Sequence, residues 1–171
     1  MPSHDVGSGR RRRLALALLA LALMPLLLGQ QECSISGPPS HITYEENRAF
    51  DFVNQERIAN GLPALIPHAD LANVARAHSR DMAWRNYFAH VNPDGDGPFD
   101  RLAAAGITYR AAGENLAFNN HPNPARVAVN GWMNSPGHRE NILFEAFTHA
   151  GMGVAYDGNG GYYFTQVFAG W

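Results

Sequence analysis

The sequence has no lysine, one cysteine and no internal repeat. A lone cysteine, Cys33, cannot build an intramolecular disulfide framework, so the fold must rest on an ordinary apolar core. All thirteen basic side chains are arginines, and four of them, Arg10 to Arg13, stand together near the N-terminus. From Gly37 onward nine arginines face thirteen acidic residues, a balance of −4 with histidines neutral. A mildly acidic body without a basic stripe argues against nucleic acid as a partner. Local metal motifs are missing too: there is no HExxH, no pair of cysteines and no EF-hand loop.

What is present starts with an export layout. The four arginines precede an apolar run from Leu14 to Leu28, interrupted by Pro25 and followed by Gln30, Gln31 and Glu32. A spanning helix needs about 20 apolar residues, and this run is shorter and carries a proline, so no stable membrane span is expected after signal cleavage. Ser34-Ile35-Ser36 supplies the small residues that cleavage wants, with a cut nearer Gly29 as the other option. Lipid attachment at Cys33 is the rival, disfavoured because Gln31 and Glu32 stand where lipoprotein signals carry small residues. The chain is therefore read as signal and cleavage region over 1–36, linker over 37–43 and one domain over 44–171. About 135 residues after the cut suffice for a single core. The expected location is outside the cell or in the cell envelope.

Along the mature chain, helical spacing predicts a first helix from Tyr44 to Asn60, with Thr43 as N-cap and Glu45 and Glu46 in the first turn. Phe50, Val53, Arg57 and Ile58 fall near one stripe, and Gly61 stops the helix. A second helix, capped by Asp70, carries Leu71, Val74, Ala75, His78 and Met82 at three-and-four spacing. A turn-dense loop from Asn92 to Pro98 leads to a short helix around Phe99 to Ala105, ended by Gly106. Tyr109 to Phe118 reads as a short strand, and Asn123-Pro124 opens another helix running to about Met133. Ala150 to Tyr156 and Tyr162 to Phe168 flank a glycine-rich turn and predict an antiparallel hairpin. Tyr162, Phe164, Gln166 and Phe168 share one face of its second strand, with Tyr163, Thr165 and Val167 on the other. Both faces are largely apolar, which predicts a central strand covered on both sides. Helices first and a hairpin last give an α+β domain.

The eight histidines need separate treatment. His4 lies in the signal, His41 and His121 in loops, and His68 ahead of the second helix. His78 lies on an apolar helix face, where a packed imidazole bonded to one neighbour is the ordinary reading. His149 starts the hairpin with no evident partner. His90 and His138 lie in segments punctuated by glycine and proline, where loops carry function. Between them Glu114 stands in Gly113-Glu114-Asn115-Leu116-Ala117, an apolar neighbourhood in which a buried carboxylate needs partners. Spacing alone does not assemble these three.

At this point the sequence resembles the bacterial branch of the CAP superfamily, named for cysteine-rich secretory proteins, antigen 5 and pathogenesis-related 1 proteins. The pieces that carry the resemblance are Val53-Asn54-Gln55-Glu56-Arg57 with Gly61-Leu62-Pro63-Ala64-Leu65, Ala77-His78-Ser79-Arg80-Asp81-Met82-Ala83, Tyr87-Phe88-Ala89-His90 and Gly113-Glu114-Asn115-Leu116-Ala117. Gly131-Trp132-Met133-Asn134-Ser135-Pro136-Gly137-His138-Arg139, Gly151-Met152-Gly153-Val154-Ala155 and Tyr163-Phe164-Thr165-Gln166-Val167-Phe168 follow in family order. The resemblance implies a three-layer α-β-α sandwich with a small central antiparallel sheet and a cleft. His90 and His138 would be its two histidines and Glu114 its first glutamate. Many eukaryotic relatives carry a second glutamate three residues after the tryptophan that matches Trp132, and here that place holds Ser135. Glu140 is not promoted into the vacancy.

Two functions of different class follow. One is a secreted, non-enzymatic binding module whose cleft of His90, Glu114, His138 and Ser135 holds a divalent metal or a small apolar ligand. A lipid, a sterol or an extracellular protein would be the partner, and Zn²⁺ on His90, His138 and Glu114 the cofactor. The other is a metal-dependent, peptidase-like hydrolase using the same cleft, since two imidazoles and a carboxylate with an open position let zinc activate water. The first is preferred, because the domain offers no convincing nucleophile or general base.

Overall fold

A computed structural model describes residues 40–171. The expected signal, its cleavage site, Cys33 and residues 37–39 of the expected linker lie outside the described residues.

The first helix, α1, spans Ser40–Ala59. It starts inside the expected linker, so Thr43 is not its cap, and Glu45 and Glu46 fall beyond the first turn. Both glutamates are buried and take up distant backbone donors in place of their own helix terminus. Glu45 Oε2 accepts the Ala125 N–H at 3.2 Å, and Glu46 Oε1 accepts the Val154 N–H at 3.2 Å. Arg76 adds a two-pronged ion pair to Glu46, with Nη2 2.8 Å from Oε2 and Nε 2.9 Å from Oε1.

Strand β1 is only Ile66–Pro67, and helix α2 covers Ala69–Arg85 with His68, not Asp70, at its cap position. Asp70 sits in the first turn, where its charge suits the helix dipole. A short helix α3, Pro98–Ala104, precedes strand β2, Ala111–Asn119, and helix α4, Pro124–Asn134. Helix α5, Pro136–Leu143, then follows at once. Sequence reading took that stretch for a punctuated loop. Pro136 is instead the first helical residue, where its missing N–H costs nothing. The hairpin is β3, His149–Tyr156, and β4, Tyr162–Gly170.

The sheet order is β1-β3-β4-β2. The three long strands pair antiparallel, and the two-residue β1 adds a parallel edge, making the sheet mixed. Strand β4 is central as expected, and its side chains alternate between two helical layers. Phe164 and Phe168 join a core with Ala49 and Val53 of α1 and Val129 and Trp132 of α4. Val167 and Ala169 meet Leu71, Val74 and Ala75 of α2, and Tyr163 meets Met82. The α-β-α sandwich thus follows from one strand with two apolar faces.

Two glycines set how closely α2 lies on the sheet. A methyl group on Gly151 would run into the backbone of Leu71 and Ala72, and one on Gly153 into that of Ala75 and Arg76. The contact is sealed by the buried Ser79, whose Oγ donates to the Gly153 carbonyl at 3.0 Å. On the opposite layer Arg57 is buried and has no carboxylate partner among the described residues. Its guanidinium donates to the carbonyls of Pro63, Ile142, Phe144 and Phe147 at 2.7 to 3.1 Å, tying α1 to the segment after α5.

Candidate functional site

Three separate segments supply His90, Glu114 and His138, and each is anchored by its own local chemistry. The chain leaves α2 through Asn86 in the left-handed region (φ 54°) and passes Tyr87 and Ala89 to His90. His78, buried on α2, donates from Nε2 to the Ala89 carbonyl at 3.0 Å, fixing the residue just before His90. Burial is the main reason why the His78 imidazole is held below its ordinary pKa; Arg101 pushes the same way and Glu114 opposes. Tyr87 caps the other side of this ring and donates to Asp81, and burial together with that carboxylate raises its phenol.

Glu114 sits on β2 with its side chain 1% exposed. Its carboxylate is engaged on both oxygens: Arg101 Nη2 lies 2.8 Å from Oε2 and 3.1 Å from Oε1, and His90 Nδ1 lies 2.8 Å from Oε1. Arg101 also donates through Nη1 to the carbonyls of His90 and Asp96, both at 2.9 Å. The guanidinium therefore fixes both the backbone of His90 and the carboxylate that orients its ring. Since a carboxylate only accepts, Nδ1 of His90 donates in this contact, and Nε2 forms no hydrogen bond among the described residues.

His138 lies on α5, one turn from Ser135, which ends α4 and caps α5. Its Nδ1 is 2.9 Å from Ser135 Oγ. The small hydroxyl that stands in the expected second-glutamate place thus holds an imidazole from behind. An amide relay joins α5 to β2: Asn115 donates to the His138 carbonyl at 3.0 Å, and Asn141 donates to Asn115 Oδ1 at 2.9 Å. Asn141 also covers the Glu114 carbonyl at 3.3 Å. Burial and then the neighbouring His90 ring lower the His138 imidazole below its ordinary value, keeping it neutral at physiological pH.

The expected residues are therefore gathered, but in a different arrangement from three ligands around one ion. Among the described residues no group of three His, Cys, Asp or Glu side chains is placed to share a metal. Glu114 is committed to Arg101 and His90, and serves His90 from behind. Sequence reasoning missed Arg101, His78 and the asparagine relay. The helical spacing of His78 pointed only to burial, and nothing local marked Arg101. Glu140 is exposed. His149 does have partners: its ring meets Trp171 edge-on at 4.8 Å, and its Nδ1 is 2.9 Å from Thr148 Oγ1.

The family model described as "CAP: Cysteine-rich secretory protein family" matches residues 50–168. The uncharacterized protein YkwD of Bacillus subtilis is 42% identical over 132 residues, which cover 77% of this chain and 49% of that protein. The uncharacterized membrane protein YlbC of the same organism is 40% identical over 126 residues, covering 74% of this chain and 34% of its own. The chain thus spans half or less of the length of these curated relatives. A crystal structure of an extracellular protein containing an SCP domain from Bacillus anthracis superposes with a TM-score of 0.69 at 36% identity, covering 80% of this chain and 45% of that one.

Proposed function

The chain belongs to the cysteine-rich secretory protein (CAP) family, and from that premise we propose that it is a non-enzymatic extracellular binding module whose recognition element is the His90–His138 pair. An extracellular setting is supported by the arginine-then-apolar N-terminus and by the SCP-domain relative that is described as extracellular. One observation carries the binding reading: both imidazoles are held at Nδ1, His90 by Glu114 and His138 by Ser135. That leaves both Nε2 atoms for a ligand, the arrangement by which a carboxylate or hydroxyl behind the ring orients a metal-binding histidine. The two nitrogens suit a divalent cation such as Zn²⁺, which when bound supplies a Lewis-acid centre. Glu114 would support His90 and not touch the ion.

The same contacts weaken the hydrolase reading. A carboxylate neutralised by Arg101 is a poor general base. The Ser135–His138 contact is a hydrogen bond between residues one helical turn apart, with no carboxylate behind the ring to complete a nucleophilic triad among the described residues.

Calorimetry with Zn²⁺ on chelator-stripped protein tests the proposal. Binding tighter than about 100 μM is expected, lost in His90→Ala while the melting temperature holds, with peptide and ester libraries left intact. Binding weaker than that defeats the metal part. Turnover that disappears in His90→Ala would establish the hydrolase instead.

A further inference from the structure

One concave feature of the domain is lined by none of His90, Glu114, Ser135 and His138. It is a groove of 460 Å³ between α2 and the start of the β3–β4 turn, lined by Arg80, Ala83, Trp84, Ala155, Tyr156 and Asp157. Arg80, Ala83 and Trp84 are spaced by three and four residues, so one face of α2 presents them together. Trp84 is 90% exposed and Tyr156 43% exposed. An indole so exposed contributes almost nothing to the core, although tryptophan is the residue with most apolar surface to gain from burial. Tyr156 is better fixed: its ring packs at 5.1 Å from Tyr162 and edge-on to His41 at 6.2 Å.

The polar residues of the groove are also presented in a defined way. Asp157 Oδ1 accepts the N–H groups of Asn159 at 2.7 Å and Gly161 at 2.9 Å, which locks the carboxylate to the turn. Gly161 is required for this, since a methyl group there would strike Asp157 Oδ2 and the Phe118 ring. Arg80 is exposed and forms no ion pair among the described residues.

We propose that this groove is a saccharide-binding site, with Trp84 and Tyr156 as stacking platforms and Arg80 and Asp157 as hydroxyl partners. A sugar ring has the two surfaces the groove asks for: a C–H face that packs on an aromatic ring, and a rim of hydroxyls that both donate and accept. A carboxylate takes the donated hydroxyl hydrogens and a guanidinium donates to the hydroxyl oxygens. Other occupants match only half of the lining. A bilayer surface accepts tryptophan and arginine but sets Asp157 against anionic headgroups. A protein partner that covered Trp84 would also desolvate Arg80 and Asp157, at a cost that only a matched ion pair offsets. The volume lies within the range of small-ligand sites, about 300 to 1,000 Å³.

Titration of the full chain with chitotetraose, and separately with cellotetraose, followed by NMR at the Trp84 indole N–H, tests the site. The expected result is a saturable shift of that signal with a Kd of about 0.1 to 10 mM. Trp84→Ala and Arg80→Ala should each weaken binding about ten-fold or more without changing the melting temperature, because both side chains are exposed. His90→Ala should leave it unaltered, which separates this site from the cleft. The proposal is overturned if neither sugar gives a saturable shift, or if Trp84→Ala binds as well as the parent. It is equally overturned if the Trp84 signal responds to phosphatidylglycerol vesicles and to neither sugar.

Discussion

Arg101 and Glu114 form a nearly solvent-free ion pair, with their side chains 12% and 1% exposed and a shortest separation of 2.8 Å. The pair joins α3 to β2 and fixes the ring of His90 through the second carboxylate oxygen. Replacing Arg101 by Ala leaves a buried carboxylate with His90 Nδ1 as its remaining side-chain donor among the described residues. Removal of one partner of a buried pair costs about 3 to 5 kcal/mol, so Arg101→Ala should lower the unfolding free energy read from urea denaturation by an amount of that order. Glu114→Gln, which keeps the shape and one acceptor, should cost less. Equal stability of parent and Arg101→Ala would show that the pair does not hold the cleft together.

The relationship was not legible in the sequence, and the reason is physical. Glu114 lies thirteen positions after Arg101, and which carboxylate an arginine on a short helix meets is decided by how α3 docks on β2. Strand β4 was legible, because Phe164 and Phe168 against Thr165 and Val167 encode two buried faces without any knowledge of the partners. The start of α1 was misread for the opposite reason. Glu45 and Glu46 look like first-turn acids, yet each is recruited by a backbone N–H of another element, Ala125 and Val154. Helix α5 was hidden by Ser135-Pro136-Gly137, where a cap and a first-position proline resemble loop punctuation. His90 and His138 were found through the family resemblance, not through spacing, since their meeting depends on that unrecognised helix.

Gly153 offers a test of the close contact between α2 and β3. Alanine there would collide with helix backbone, which cannot rotate aside as a side chain can. Overpacking of this kind costs typically about 1 to 3 kcal/mol and sometimes more, and Gly153→Ala should fall at the upper end or fail to fold. Gly131, exposed on α4 with nothing near its missing Cβ, makes the control. Gly131→Ala should stabilise by about 0.5 to 1 kcal/mol. Chemical denaturation of the two variants should move the midpoint in opposite directions.

Arg57 should prove as important to stability as any apolar core residue. Arg57→Met fills similar space but leaves the carbonyls of Pro63, Ile142, Phe144 and Phe147 without their donor. Each buried group left unsatisfied costs about 1 to 3 kcal/mol, and partial hydration of the loop should limit the sum to roughly 3 to 5 kcal/mol. Hydrogen exchange should show the loss concentrated around residues 142–147. Uniform loss of protection across the domain would mean that Arg57 acts through α1 instead.

Acid should weaken the fold through His78. Burial holds this imidazole below its ordinary pKa, reinforced by Arg101 and opposed by Glu114, Asp81 and the Ala89 carbonyl. Tyr87 also packs on the ring, at 6.1 Å between centroids. Below about pH 6.5 the unfolded chain binds a proton there that the folded chain resists. Stability contributed by the neutral ring is therefore complete above that pH and is lost as pH falls toward the lower, folded-state value. Its protonation would also set a cation beside Arg101. The melting temperature should accordingly drop between pH 7 and pH 5, and His78→Gln should flatten part of that slope while costing some stability at pH 7. Scanning calorimetry of both proteins across that range decides it: parallel curves would place the acid sensitivity elsewhere in the domain.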